Sequence, residues 1–363
     1  MDSGLNDGPS QRIPVLIPRV PNYEQIEKYI REIDYNRFYT NFGPLEKRLR
    51  SIFSQIWDVS INCVRTACNA TLALQGAIAT SENANESWEL PSWTFAATPL
   101  ALIQARAKFS FVDINEETWR AEFSGNTRNA LDVLPLGDDL AFERLEESQI
   151  QNFIIDGAAS VAALMKKLPK SKKKYGIVIS LHATKLLPAG EGAIFVSNCE
   201  KWSERFKKWT SFGFSEDRNT SLLGTNAKLS EYSSSVALAS LDEFETTLSL
   251  INWAQTRARD ISDSLNLQCH PALMKGIPSP YWIIRFNQDF QKKIAERTLN
   301  LEGIETRDWW GQGCHQNPIF GKLSKRLPIT ERVASTTIGL PMHTYLSEND
   351  FDLIHRVLRS IKF

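Results

Sequence analysis

The chain lacks most of the features that assign a protein at sight. It has no surplus of either charge, since Lys+Arg and Asp+Glu both number 42 and the formal net charge is zero. A general nucleic-acid binder needs a basic excess to neutralise phosphates, so no nucleic-acid partner is expected. The five cysteines, Cys63, Cys68, Cys199, Cys269 and Cys314, are dispersed and include no CxxC pair. That pattern reads as reduced thiols of a cytosolic protein rather than a disulfide framework or a zinc site, and no metal is expected. No apolar run approaches the roughly 20 residues of a membrane span. The opening segment "MDSGLNDGPSQR" lacks the apolar core of a signal peptide, and its polar composition predicts mobility over residues 1–12. A cytoplasmic location without a membrane partner is the expectation. A nicotinamide dehydrogenase would need a Gly-rich turn after its first strand, and no GxGxxG is present.

What is present suits a sizeable core. The 363 residues are 42% hydrophobic and 23% charged, enough for one large domain and a smaller one. Helical spacing runs through "NYEQIEKYIREI" and, after the turn "TNFGP", through "LEKRLRSIFSQIW"; "ATLALQGAIAT" is a compact Ala-rich helix. Strand candidates follow: the end of "WELPSW", then "KFSFVDI", "LDVLPL", "NFIIDGAA" and "YGIVISL". Their alternation with helical segments predicts a parallel sheet covered on both faces. From about Leu241 the texture changes to one long helix, "LDEFETTLSLINWAQTRARDISDSL", then the strand-like "PYWIIRFN" and "GIETRDWW" and a closing helix "SENDFDLIHRVLRSIKF". The reading is a large α/β domain over 13–240 and a small α+β domain over 241–363. The one charge run, "KKLPKSKKK", reads as a solvated loop.

The informative stretch is "VISLHATKLLPAGEGAIFVS", Val178 to Ser197. Two apolar runs bracket a polar turn that holds Lys185. A lysine in such a turn is ordinarily a surface residue. Lysine is also the residue for Schiff-base chemistry, because a neutral amine condenses with an aldehyde. Pyridoxal phosphate (PLP) chemistry would further need a carboxylate for the pyridine nitrogen, donors for the phosphate and an apolar face for the ring. Asp156 ends the run "NFIID", at the C-terminal end of a strand where open α/β sheets bind ligands; it would equally cap the next helix. Asn69, Ala70 and Thr71 open the helix "ATLALQGAIAT" and can face an anion, or simply cap it. Phe95, in "PSWTFAAT", is either the ring's apolar face or core.

In that order, these segments resemble the DegT/DnrJ/EryC1/StrS group of PLP-dependent nucleotide-sugar aminotransferases, over about Leu16 to Phe363. The likeness runs through "TNFGPLEKRL", "CNATLAL", "PSWTFAATPLAL", "FSFVDINEETW", "IIDGAAS", "GTNAKLSE" and "LPITERVASTTIGLPMH", and is most specific in "SLHATKLLPAGEGA". The resemblance implies a fold of the aspartate-aminotransferase type (fold type I), with a mostly parallel mixed sheet and a small C-terminal domain. It implies that Lys185 forms the Schiff base, Asp156 pairs with the pyridine nitrogen, Ser180, Asn69, Ala70 and Thr71 hold the phosphate, and Phe95 stacks on the ring. Asn226 would reach the cofactor of a second subunit, in a homodimer with shared sites. The implied reaction moves an amino group from glutamate to a dTDP- or UDP-linked keto-deoxy sugar, for deoxyamino-sugar and surface-polysaccharide (O-antigen) biosynthesis. Asn41, Arg307, Trp309, Trp310 and His315 are candidate sugar contacts, with Trp309 and Trp310 equally placed to be core. His182 reads as a structural neighbour of Lys185.

The chain departs from the family pattern at several points. Asn69-Ala70-Thr71 replaces Ser-Gly-Thr, Ala159 stands where Gln is usual, "VLPLGDD" lacks a histidine, and Ser233–Ser235 replaces a Gln-Ala-Ala. These leave open a relative without transaminase activity that serves as a binding or regulatory subunit. A PLP-dependent sugar dehydratase is the other alternative, but dehydrating members carry His in place of the lysine, so Lys185 favours transamination.

Overall fold

The computed structural model describes residues 12–82, 84–139, 145–146, 149–168, 170–321 and 325–361. Residues 1–11 of the segment expected to be mobile therefore lie outside the described residues. In chain order the helices are α1 (Tyr23–Asn36), α2 (Pro44–Trp57), α3 (Ala70–Thr80), α4 (Ala97–Gln104), α5 (Val161–Leu164), α6 (Glu200–Thr210), α7 (Glu231–Asp242), α8 (Phe244–Ser264), α9 (Pro271–Met274), α10 (Asp289–Leu301), α11 (Pro328–Thr336) and α12 (Glu348–Ser360). The strands are β1 (Val64–Ala67), β2 (Trp88–Pro91), β3 (Phe109–Val112), β4 (Asn129–Val133), β5 (Asn152–Asp156), β6 (Tyr175–Ser180), β7 (Ala193–Ser197), β8 (Gln268–Cys269), β9 (Trp282–Arg285) and β10 (Thr337–Leu340).

β1 to β7 form one sheet in the order β1-β7-β6-β5-β4-β2-β3. β6, β5, β4, β2 and β3 pair in parallel, while β7 runs antiparallel to both β6 and β1. The sheet is thus mostly parallel but mixed, as the family resemblance implies, because β6 returns through the Lys185 turn to pair directly with β7. Its central strands are buried along their whole length, which is why "NFIID" and "YGIVIS" read as continuous apolar runs instead of alternating ones. Two cores cover its two faces. One packs the sheet against α1, α2, α7 and α8 through Leu49, Phe53, Ile177 and Leu238. The other packs it against α3, α4 and α6 through Leu74, Ile78, Phe195 and Phe206.

Helix starts follow local chemistry. Asn22 and Gln25 form a reciprocal capping box on α1, and Ser347 and Asp350 do the same on α12. α2 has no side chain of its own at the N-cap. The buried carboxylate of Glu231 instead accepts the amides of Leu45 and Glu46 at 2.8 and 2.9 Å, fastening α2 to α7. Gly76 lets α3 approach α6, since a Cβ there would lie 2.6 Å from the Trp209 ring.

The second sheet is antiparallel, in the order β10-β9-β8. "PYWIIRFN" supplies β9 as expected, whereas "GIETRDWW" is not a strand. Its pairing is reduced to isolated bridges, Ile304 to Ile13 and Arg307 to Gly339. Beside these bridges the Trp309 indole packs on Gly339, where a Cβ would sit 2.3 Å from Nε1. The long helix expected from Leu241 is broken at Glu243, between α7 and α8. Ile13 bonds Gly303 and Met342 bonds Val15, so the first described residues lie along the second sheet's side of the molecule.

Candidate functional site

The C-terminal ends of β5 and β6 and the N-terminus of α3 converge on Lys185. From Leu181 to Gly192 the chain makes a tight excursion between β6 and β7. Leu181 bonds Gly192, Ala183 bonds Gly190, and Lys185 closes a turn onto His182. Gly190 takes φ +75° there, a conformation that favours glycine. His182 holds the turn through Nδ1 and the Thr184 hydroxyl, 2.8 Å apart, so it is a structural neighbour of Lys185 as expected. The Lys185 amine is half-buried and donates to the Tyr281 hydroxyl at 3.0 Å.

Asp156 is buried at the end of β5. Its Oδ2 accepts the Thr98 hydroxyl at 2.7 Å and its Oδ1 accepts the Ala158 amide at 3.1 Å. Burial pushes the carboxyl above the usual carboxylate range, and the Thr98 bond, the Ala158 amide and the nearby Lys185 charge oppose that rise. Among the described residues no side-chain cation ion-pairs with Asp156. The site therefore presents a buried acid short of positive charge, next to a lysine.

Asn69 is the N-cap of α3. Its side-chain oxygen accepts the Leu72 amide at 2.9 Å, which leaves the first-turn amides of Ala70 and Thr71 without intrahelical acceptors. Ser180, at the end of β6, is buried and accepts the His182 amide. Phe95 is 65% exposed, so its ring is not core, and one of its two readings falls away. Asn226 is exposed beside Ser211 and accepts from Lys228 at 2.5 Å. Lys228 was not singled out in the sequence. It lies across the Phe212 ring at 4.7 Å, and the Cys68 amide just before α3 bonds the Ala227 carbonyl beside it.

The candidate sugar contacts separate. Trp309 packs edge-on against Tyr281 at 4.9 Å and Trp310 against Trp93 at 5.2 Å, both on the aromatic cluster beneath the Lys185 turn. Arg307 is exposed and lies over the Trp309 ring at 5.2 Å. Asn41 is exposed in the turn before α2, at φ 65°. His315 is a correction: it is buried, with Nδ1 on the Ser92 hydroxyl at 2.6 Å and Nε2 facing Gln316 and Glu331. Its ring is spent on joining the β2 loop to the start of α11 and offers a sugar no surface. Tyr281 and Thr98 were missed as well. Thr98 lies inside "PSWTFAAT", which carried a signal for Phe95 alone, and nothing in "SPYWIIRF" marks its tyrosine apart from core.

The sheet order, the lysine on the β6–β7 turn and the acid at the end of β5 define the class as fold type I, the aspartate-aminotransferase type. The model of the DegT/DnrJ/EryC1/StrS aminotransferase family matches residues 22–132 and 136–359, and the chain belongs to that family. Membership and fold together imply an aminotransferase whose cofactor is pyridoxal 5′-phosphate. The chain is 24% identical over 367 residues to dTDP-4-amino-4,6-dideoxy-D-glucose transaminase of Shigella dysenteriae, covering 95% of this chain and 98% of that protein. It is also 24% identical over 390 residues to protein Rv3402c of Mycobacterium tuberculosis, covering 97% and 90%. Among solved structures, DesI with its TDP-sugar product superposes with a TM-score of 0.84 at 24% identity, over 97% of this chain and 94% of that one. PseC of Helicobacter pylori, an aminotransferase in pseudoaminic acid biosynthesis, superposes with a TM-score of 0.82 at 19% identity, over 96% of this chain.

Proposed function

We propose that the protein moves an amino group from glutamate to a dTDP- or UDP-linked keto-deoxy sugar, as a step in deoxyamino-sugar and surface-polysaccharide biosynthesis. The observation that carries the transaminase part is the pairing of a half-buried Lys185 amine with a buried, cation-poor Asp156 at adjoining strand ends. The sugar part rests on the kinship with sugar transaminases.

The residues present fit PLP. Asp156 would hold the protonated pyridine nitrogen, which supplies the positive charge its buried carboxylate lacks. The amides of Ala70 and Thr71, the Thr71 hydroxyl and the Asn69 side-chain amide would bind the phosphate at the positive end of α3, and Ser180 would complete that set. Phe95 would cover the ring. When bound, the cofactor supplies an electron sink for the pair left on the donor's α-carbon. The rest falls to this chain. Lys185 would take the proton from the donor's α-carbon as general base and hand it on, as general acid, to the cofactor carbon that keeps the amino group. Thr98 and Ala158 fix the Asp156 carboxylate so that its charge needs no rearrangement during the reaction. The buried Tyr281, part of the aromatic cluster that includes Trp93 and Trp119, covers the amine's inner side against water.

A homodimer is part of this reading. Tyr39 and Tyr232 stack at 6.2 Å and are both exposed, Phe38 is exposed on the same turn, and Phe212 is exposed over Lys228. Phe212 neighbours Asn226, whose backbone bridges Ser211, and Asn226 would then reach the second subunit's cofactor.

The test is the visible absorption spectrum before and after glutamate, first for the wild type and then for Lys185→Ala. The reading requires a band that glutamate shifts, absent from the variant. A wild type that takes up no PLP on incubation would hand the lead to a non-catalytic binding subunit. If glutamate shifts the band, dTDP- and UDP-keto sugars are then added, and failure of both to restore it would overturn the acceptor.

A further inference from the structure

Tyr281 belongs to the second sheet's side of the molecule, one residue before β9, yet its hydroxyl ends at the Lys185 amine. The phenol is buried and its ring has little freedom. Trp309 meets it edge-on at 4.9 Å, and Trp309 is itself seated on Gly339 of β10. Ile283, Val333 and Leu136 belong to the same buried cluster. β9 is hydrogen-bonded to both β8 and β10, so the backbone that carries Tyr281 is the middle strand of its sheet. The amine lies 5.7 Å from the ring centroid, beyond the hydroxyl along the ring's long axis, so the hydroxyl is the group that meets it. A flexible four-carbon side chain is thus held by a rigid one.

We propose that Tyr281 is a positioning residue for Lys185: its hydroxyl holds the amine in one place whenever the lysine is not covalently engaged. A phenol suits this task because it can accept from the amine and donate to it, so it holds the amine in either protonation state. Without it the amine would sample several rotamers, and fewer of its encounters with an aldehyde would be productive. The inference rests on the PLP reading of Lys185. It adds a residue from the second sheet to a site otherwise built on the first.

The experiment compares wild type with Tyr281→Phe, which keeps the ring and its contact with Trp309. Two probes are applied to cofactor-free protein. The first is 4-deoxypyridoxine 5′-phosphate, which has no aldehyde, with its dissociation constant read by calorimetry. The second is PLP itself, with the rate of covalent capture followed by stopped-flow absorbance. In that capture the amine nitrogen bonds to the aldehyde carbon and the carbonyl oxygen leaves as water, with no oxidant or reductant. Loss of one hydrogen bond of up to ~1.5 kcal/mol predicts capture slower by about tenfold, with affinity for the aldehyde-free probe unchanged. Equal capture rates in the two proteins would overturn the proposal. So would a parallel loss of affinity for the aldehyde-free probe, which would make Tyr281 part of the packing only. Tyr281→Trp, which fills the volume without placing a hydroxyl at the amine, should capture as slowly as Tyr281→Phe; full speed there also counts against the proposal. A wild type that binds neither probe would instead overturn the PLP reading itself.

Discussion

Consider Asp156→Asn in the cofactor-free protein. The wild-type carboxylate is buried, and its hydrogen bonds come from a threonine hydroxyl and one backbone amide. Asparagine can keep both. Its oxygen accepts from Ala158, and its amide donates to Thr98, whose proton then turns to the Thr94 hydroxyl 2.7 Å away. What is lost is the attraction to Lys185 and the strength of charged hydrogen bonds, about 1.5–3 kcal/mol for each such bond against 0.5–1.5 for a neutral one. What is gained is relief from desolvating the charge, worth several kcal/mol. The balance favours asparagine by about 1 kcal/mol, or roughly 2 °C in melting temperature for a chain of this size. The pH dependence gives an independent check. Because the folded carboxyl is raised, the folded state holds the proton where the unfolded state has released it, and wild-type stability falls as pH rises through that window. The advantage of asparagine should therefore vanish below about pH 4, where unfolded Asp also protonates, and grow as pH rises from there towards 7. Conversely, a PLP-loaded Asp156→Asn should transfer the glutamate proton about 10²–10³-fold more slowly, the usual cost of removing a preorganised charge partner. Melting curves at both pH values read the first effect. A loss of more than about 1 kcal/mol at pH 7 would refute the account of Asp156 as a charge awaiting its partner.

Other perturbations test the frame around the site. Asp138 is buried and shared by Arg120 at 2.6 Å and Lys275 at 2.8 Å; burial raises its carboxyl, and the two cations overcome this and hold it below the usual range. Asp138→Ala should cost about 1–3 kcal/mol in urea unfolding, since the nearly buried Arg120 loses its buried carboxylate and keeps Asp139 as a partner. Gly76→Val should cost about 1–3 kcal/mol by driving α3 off Trp209 and Phe206, with no change in the sheet's circular dichroism. His270 is buried and its ring is pushed down to about 3, chiefly by burial. It stays neutral when folded but protonates when unfolded, so its contribution is intact above pH 6.5 and lost as pH falls towards 3. His270→Leu should flatten the stability–pH curve over that range by about 1 kcal/mol per pH unit, read from melting in acetate buffers.

The sequence by itself determined the parts of the site that sit on single elements. Two short apolar runs bracketing a polar segment read as buried strands joined by a turn, which placed Lys185 at a strand end. The run "NFIID" ended on a carboxylate for the same reason, and Asn69 announced the start of α3 because a capping side chain acts within three residues. Such local rules do not reach across the fold. Tyr281 precedes a short apolar strand, as core residues do, and only the packing of the second sheet on the first brings its hydroxyl to the Lys185 amine. Thr98 became a partner of Asp156 when α4 was laid beside β5. His315 looked free to meet a sugar, until Ser92 and Glu331, 223 and 16 residues away in sequence, enclosed it. "GIETRDWW" read as strand-like, but its pairing is reduced to isolated bridges, and Trp309 packs on Gly339 of β10 instead. In each case the deciding contact joins segments far apart in the chain, where neither periodicity nor capping carries information.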